Sequence, residues 1–485
     1  MPEFGVVEAN RGHVKTAKSA NAGSVVCFLA VVLAAVSSPV PSVAPVPTAI
    51  PISAPVARQL DESLKPLVGT DAGKASALAV AIVQNGAIAY VRSYGTAKDH
   101  TRFPIASLTK MMTAVSVLQL VEHGRIKLED HVSTYLPNAP YADQITVRQL
   151  LNHTSGLYNY GDDSFKAGAN KTPTTPERIL AIVAAKPLLA PPGTRFSYSN
   201  SGYVVLGQII EHVFGRSLAA YEQQAIFSVA GMTETTFGDP VGVVPVATGF
   251  MSGTQGADAY AYDRSWFYAD GDIVSTARDI ARFDLALMTG KLVSAKSFAL
   301  AQTDPVDAPA FGGKWGLGFM IIDSLGKRVV GHHGGVPCFV ADDEIIQGDG
   351  FAMVVLANAF DFATSRASLN VIRTLYPGLS PPEVVVPEDP AVTGRFRTIL
   401  ENLLAGHIDR TQFADAANAA LTDTALATAA SQLGALGAIA SIAYVNEQRT
   451  AGLTIYHYRV VFAKATLVFS FGVMPDGKTA VFRGS

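Results

Sequence analysis

Cysteine is nearly absent: the 485 residues hold only Cys27 and Cys338. Two thiols cannot make a disulfide framework, so stability must come from a packed core, with Cys338 read as a small packed side chain. An excess of one charge sign is missing too. The formal net charge is -3 and there is no long basic run, so nothing calls for a nucleic-acid partner. No Gly-x-Ser-x-Gly stretch occurs, which excludes the nucleophile elbow of an α/β-hydrolase. Near the N-terminus the apolar run of residues 22–36 is too short for a spanning helix, which needs about 20 apolar residues. It follows Arg11, Lys15 and Lys18 and ends at the small-x-small site Ala35-Val36-Ser37. Residues 1–37 therefore read as a secretory signal, with an uncleaved membrane anchor as the alternative. Export to the periplasm or exterior is expected in either case, with membrane association through residues 22–36 in the second.

The rest of the chain divides by composition. Residues 38–55 alternate Pro with Val, Ala and Ser, an extended spacer without core. A body follows over residues 56–377, opening with a helical stretch at 56–68. Two apolar runs around Asn85-Gly86 predict a hairpin. Further strands are predicted near residues 315–322, 328–332 and 351–356. Together these make an antiparallel sheet drawn from both ends of the body, with residues 104–300 supplying helices. Residues 378–390 form a proline-bounded linker. Residues 391–485 place helical patterns before alternating strands, which predicts a small α+β domain.

The chemistry is carried by Phe103-Pro104-Ile105-Ala106-Ser107-Leu108-Thr109-Lys110. Pro104 disfavours helix at Phe103, and Leu108, Met111, Met112, Val115 and Leu118 then recur at helical spacing. Ser107 and Lys110 share one face, so the amine can reach the hydroxyl. A serine needs a base to become a nucleophile, and a desolvated lysine can serve as one. Alone, Ser-x-x-Lys is more often a helix cap than a site. Two other stretches change the balance: Tyr198-Ser199-Asn200 in a loop ahead of a helical pattern, and Gly331-His332-His333-Gly334-Gly335 at the end of a strand.

These three motifs, in this order, resemble those of the serine β-lactamase and penicillin-binding protein superfamily, in its branch of class C-like β-lactamases, D,D-peptidases, D-aminopeptidases and esterases. Leu150-Leu151-Asn152-His153-Thr154-Ser155-Gly156 and the segment from Asp270 to Asp279 resemble the family's intervening text. The resemblance implies an α/β (α+β) fold of the β-lactamase/transpeptidase type, with an antiparallel sheet flanked by helices plus a helical subdomain, followed here by the small C-terminal domain.

It also implies roles. Ser107 would be the acylated nucleophile and Lys110 its base. Tyr198 would shuttle a proton, which requires its pKa to fall from about 10 beside the lysine charge. Asn200 would orient Lys110 and bind the acyl group. The third motif has two registers, His332-His333-Gly334 and His333-Gly334-Gly335; pairing Gly331-His332 with the family's Gly-His favours His332, which would stand where β-lactamases of the superfamily carry Lys, as a pH-dependent contact for a substrate carboxylate. Gly334 and Gly335 would let substrate approach the backbone, the Gly335 N–H joining the Ser107 N–H in an oxyanion hole. Trp266, Asp272 and Tyr262 are candidates for the cleft wall, and His153 for holding a loop beside it.

The reading is thus an exported serine hydrolase acting on an amide or ester of a small molecule or peptide, without cofactor, metal or protein partner. No Glu-x-x-Leu-Asn stretch supports the class A deacylation route, and His at the third motif leaves β-lactam hydrolysis weak. Two alternatives stay open. One is a catalytically silent penicillin-binding sensor of the same fold. The other is a metal-assisted hydrolase using His332, His333, Asp342 and Asp343, disfavoured because adjacent strand side chains point to opposite faces.

Overall fold

The structure is a computed structural model describing residues 50–69, 74–161, 171–238, 250–251, 254–255, 263–308, 311–324, 326–336, 338–359, 362–377, 389–450, 453–463 and 466–484. The expected export segment, the spacer up to residue 49, Tyr262 and the linker residues 378–388 lie outside the described residues. The chain forms two compact units that divide between residues 380 and 381.

The larger unit is organised on one antiparallel sheet. Its strands are β1 (Ala77–Gln84), β2 (Ala87–Gly95), β3 (Val306–Ala308), β4 (Gly313–Trp315), β5 (Met320–Ser324), β6 (Lys327–Val336), β7 (Phe339–Ile346) and β8 (Phe351–Ala357). They lie in the order β2-β1-β8-β7-β6-β5-β4-β3. Asn85 and Gly86 take φ of +54° and +74°, the left-handed pair a tight two-residue hairpin needs. Every residue of β1 is buried, because both faces of the sheet are covered. Ala77, Ala79, Ala81 and Val83 pack into the main helical core. Leu78, Val80 and Ile82 point the other way, into a core shared with helices α1 (Ala54–Leu64) and α7 (Thr364–Leu375).

On the main-core side lie α2 (Thr109–Glu122), α3 (Val147–Leu151), α4 (Pro176–Ala184), α5 (Asn200–Phe214) and α6 (Ala277–Met288). Residues Thr109 to Leu120 of α2 are all buried, the polar Thr113, Ser116 and Gln119 each donating to a main-chain carbonyl. A small antiparallel sheet joins Phe103–Pro104 to Ile273–Ser275 and Thr236–Phe237. Ile105 N–H continues it with a 3.0 Å bond to the Ile273 carbonyl. The chain entering α2 is thereby fixed beside the segment that carries Asp270.

The antiparallel sheet with flanking helices matches the expected fold. One central strand, β7, was not anticipated. Its Asp342, Asp343 and Glu344 interrupt the apolar pattern, yet the structure buries both aspartates.

The smaller unit has helices α8 (Pro390–Leu404) and α9 (Asp423–Gly434) ahead of strands β9 (Ile439–Thr450), β10 (Leu453–Phe462), β11 (Thr466–Val473) and β12 (Thr479–Gly484). The strands pair in sequence order. Phe396 of α8 stacks on Tyr458 of β10 with centroids 4.1 Å apart. No described helix is long and apolar enough to cross a membrane.

Candidate active site

Ser107 occupies the 3-10 turn Ala106–Leu108 that leads into α2. From Thr101 to Leu120 it is the one residue that is not buried, an opening in an otherwise sealed stretch. Ala106 before it holds φ +49°, a conformation that costs a non-glycine residue energy and is kept only where surrounding structure enforces it.

Lys110 lies one turn on. Its Nζ is 3.0 Å from Ser107 Oγ and donates to the Asp270 carbonyl at 2.7 Å. The side chain is 0% exposed. Burial lowers its pKa to about 8, against an opposing pull from the Asp270 carboxylate.

Tyr198 Oη donates to Ser107 Oγ at 3.0 Å. Its aim is set by His153. After α3, whose Thr146 and Gln149 form a reciprocal capping box, the chain turns left-handed at His153, φ +58°. The His153 carbonyl accepts from Ser197 N–H at 2.8 Å, and its Nδ1 accepts from Ser199 N–H at 3.1 Å. Both neighbours of Tyr198 are therefore pinned to one residue, and the imidazole lies 4.3 Å from the phenol ring. Because Nδ1 accepts, the buried neutral ring carries its proton on Nε2.

Strand β6 closes the other side. A β-carbon at Gly334 would lie 2.3 Å from the Ile105 carbonyl oxygen and 3.2 Å from the Ser107 nitrogen. Only glycine lets the strand run this near the nucleophile turn. The pairing of β5 with β6 stops at Gly331, so from His332 onward that edge of β6 has no neighbouring strand among the described residues. Gly335 lies on this stretch, opposite Val340 of β7.

The Ser107 hydroxyl and the Lys110 amine, from one turn, thus meet the Tyr198 phenol from a distant stretch of the chain. A family model described as Beta-lactamase matches residues 57–376, about two thirds of the chain. The chain belongs to the beta-lactamase family. It is 30% identical over 296 residues to a penicillin-binding protein of Bacillus subtilis (strain 168), covering 53% of this chain and 62% of that one. To a D-aminopeptidase of Brucella ovis it is 27% identical over 320 residues, covering 61% and 58%. The chain spans less than two thirds of the length of the curated relatives it matches. Among solved structures, a D-stereospecific amidohydrolase from Streptomyces is similar with a TM-score of 0.58 and 27% identity, over 66% of this chain and 99% of that one.

Within this beta-lactamase-family site, three expectations need correction. For Tyr198 burial pushes the phenol pKa up, outweighing the hydrogen bond to Ser107, the opposite direction to the expected fall. Asn200 makes no hydrogen bond to Lys110. Its backbone N–H goes to Asn159 Oδ1 at 3.1 Å and its own Oδ1 is buried without a partner. The Asp270 carbonyl holds the amine instead.

His332 differs from expectation by being buried. It is 2% exposed, and burial, then the Lys110 charge, hold its pKa well below the ordinary value. Its Nδ1 is 2.5 Å from the His333 carbonyl, and its ring meets Trp315 edge-on at 5.1 Å and Tyr198 at 6.3 Å.

His333 faces away from that cluster. Its Nδ1 lies 2.5 Å from Asp342 Oδ1, and although burial alone would lower its pKa, the Asp342 carboxylate raises it. Among the described residues no three His, Cys, Asp or Glu side chains gather as a metal site. Asp272 pairs with Arg264 at 2.9 Å. Trp266 donates from Nε1 to the Thr172 carbonyl at 2.8 Å and stacks on Tyr160.

Asp270 is the site residue that sequence reading missed. It is 3% exposed, and its Oδ2 is 2.8 Å from the Tyr160 hydroxyl. Its only signal was its place in a family-like segment, where the spacing does not separate it from Asp272.

Proposed function

We propose that the chain is a serine hydrolase that transfers an acyl group from an amide or ester to Ser107 and then to water. The observation that carries this reading is the placement of both the Lys110 amine and the Tyr198 hydroxyl 3.0 Å from one serine oxygen. In its neutral form the amine accepts the Ser107 proton as Oγ attacks the carbonyl carbon. The backbone N–H groups of Ser107 and of Gly335, on the strand edge that β5 leaves open beyond Gly331, are the proposed oxyanion donors. Tyr198, held protonated, gives its proton to the leaving nitrogen or oxygen and regains one from the Lys110 ammonium. Water then repeats the sequence on the acyl-enzyme. Asn200 Oδ1, a buried acceptor without a partner, binds an N–H of the acyl group.

The substrate class follows from the wall. A neutral, buried His332 gives a substrate carboxylate no charge to bind, which favours D-aminoacyl amides, D-amino-acid peptides read from the amino end, and simple esters over β-lactams and D,D-carboxypeptidase substrates. The names of the Brucella and Streptomyces relatives point the same way. Export through residues 1–37 completes the proposal.

The test is turnover of a D-amino-acid amide, a p-nitrophenyl ester and nitrocefin by the native chain and by Ser107→Ala. Ester and amide turnover that vanishes in the variant supports the reading. Undiminished turnover in Ser107→Ala would remove it.

A further inference from the structure

We propose that Asp270 is a positioning residue whose carboxyl group sets the charge state of Lys110, its two protonation states accommodated by reorientation of the Tyr160 hydroxyl. The inference rests on the reading of Lys110 as the base of Ser107.

The geometry is specific. The main-chain carbonyl of Asp270 fixes Lys110 Nζ at 2.7 Å, so the same residue that aims the amine also brings its carboxyl into electrostatic range. The carboxyl is buried, and it accepts from the Tyr160 hydroxyl at 2.8 Å. Tyr160 Oη also contacts the Trp266 carbonyl. A phenol has one hydrogen, and a carbonyl has none to give. With Asp270 ionised, the phenol must divide one proton between two acceptors. With Asp270 protonated, the carboxyl donates to the phenol, the phenol donates to Trp266, and every contact is satisfied. The surroundings therefore tolerate both states of Asp270, and burial raises its pKa to about 7, with Lys110 and the Tyr160 bond opposing.

Other charges facing the pair are few. Asp272 raises the Asp270 pKa but is neutralised by Arg264. Tyr198 and Tyr203 present ring faces to Lys110 at 5.2 and 5.5 Å. His153 and His332 are held neutral beside the same amine. One turn further along α2, Glu222 accepts from Thr113, and burial keeps its carboxyl pKa high. Asp270 is thus the switchable negative charge beside the base. When ionised it favours the ammonium, and when protonated it releases the amine to act at lower pH.

The experiment is the pH dependence of Ser107 phosphonylation by a fluorophosphonate, which forms a Ser–O–P bond with loss of fluoride, followed by intact mass, in the native chain, Asp270→Asn and Tyr160→Phe. Asparagine removes the negative charge, so the rising limb of the phosphonylation rate should move to lower pH by about one unit. Tyr160→Phe deprives the carboxylate of a donor and should move the limb in the same direction by less. Should Asp270→Asn fail to fold, Tyr160→Phe decides. A limb that stays in place or moves to higher pH, whatever the loss of rate, overturns the proposal. Ser107→Ala is the control: labelling that persists there refutes the reading of the site itself, whereas an unlabelled control with an unmoved limb refutes only the role of Asp270.

Discussion

Gly334 of β6 passes so close to Ile105 that a β-carbon would sit 2.3 Å from the Ile105 carbonyl oxygen. That contact joins the sheet edge to the turn that presents Ser107, and the obstructing atom is backbone, which cannot swing aside. Gly334→Ala should therefore cost about 1–3 kcal/mol of stability. The rate of Ser107 acylation should fall by more than that loss explains, because the strand is pushed off the nucleophile. Thermal melts and fluorophosphonate labelling measure the two effects separately. An alanine variant that labels at the native rate would show that the close approach is not needed.

The two groups on Ser107 Oγ should behave differently with pH. In the proposed mechanism Lys110 acts as the free amine, and burial lowers its pKa to about 8, so kcat/KM should rise through that region as the ammonium loses its proton. Tyr198 acts as a donor, and burial keeps it protonated, so it should add no falling limb below pH 10. Lys110→Met and Tyr198→Phe should each lower kcat/KM by roughly 10²–10⁴-fold. A profile that is flat between pH 6.5 and 9 would contradict the assignment of Lys110.

Much of this site could be read from sequence because its central pair is local. Ser107 and Lys110 meet through helical spacing alone, and the Asn85-Gly86 turn declares its hairpin. Tyr198 and the glycines of β6 were reachable only through the order of motifs, since nothing in their spacing says they meet Ser107. Asp270 was not legible because it touches Lys110 through its main-chain carbonyl, an atom every residue has. Strand β7 was hidden for a different reason. Asp342, Asp343 and Glu344 break the apolar pattern of a buried strand, and in the structure Asp342 pairs with His333 and Asp343 faces Asp284 of α6.

That last pair gives a stability test. Asp284 and Asp343 are both 0% exposed, and burial raises the pKa of each carboxyl. A raised folded-state pKa means that the native chain holds a proton the unfolded chain releases above about pH 4. Stability from this pair is therefore lost as pH rises toward the folded value. Asp284→Asn, which keeps the shape without the ionisation, should stabilise by roughly 1 kcal/mol or more at pH 8 and by much less at pH 5. Chemical denaturation at the two pH values checks this. A variant less stable than native at pH 8 would mean that the carboxyl makes a necessary ionised contact.

His332 should not act as a pH-dependent anion site. The ring is buried and neutral, with Nδ1 turned to the His333 carbonyl. The ratio of acylation rates for benzylpenicillin and a neutral ester should stay constant from pH 8 to pH 5.5, since the Lys110 effect divides out. A ratio that climbs several-fold toward acid would show His332 charging in contact with the carboxylate.

The most direct test of the account is to incubate the native chain with a fluorophosphonate and locate the adduct by peptide mass mapping, beside Ser107→Ala and Lys110→Met. One adduct on Ser107, absent from the alanine variant and formed at least roughly 100-fold more slowly in the methionine variant, is the expected result. An adduct on another residue, or on Ser107 at an unchanged rate without the Lys110 amine, would contradict it.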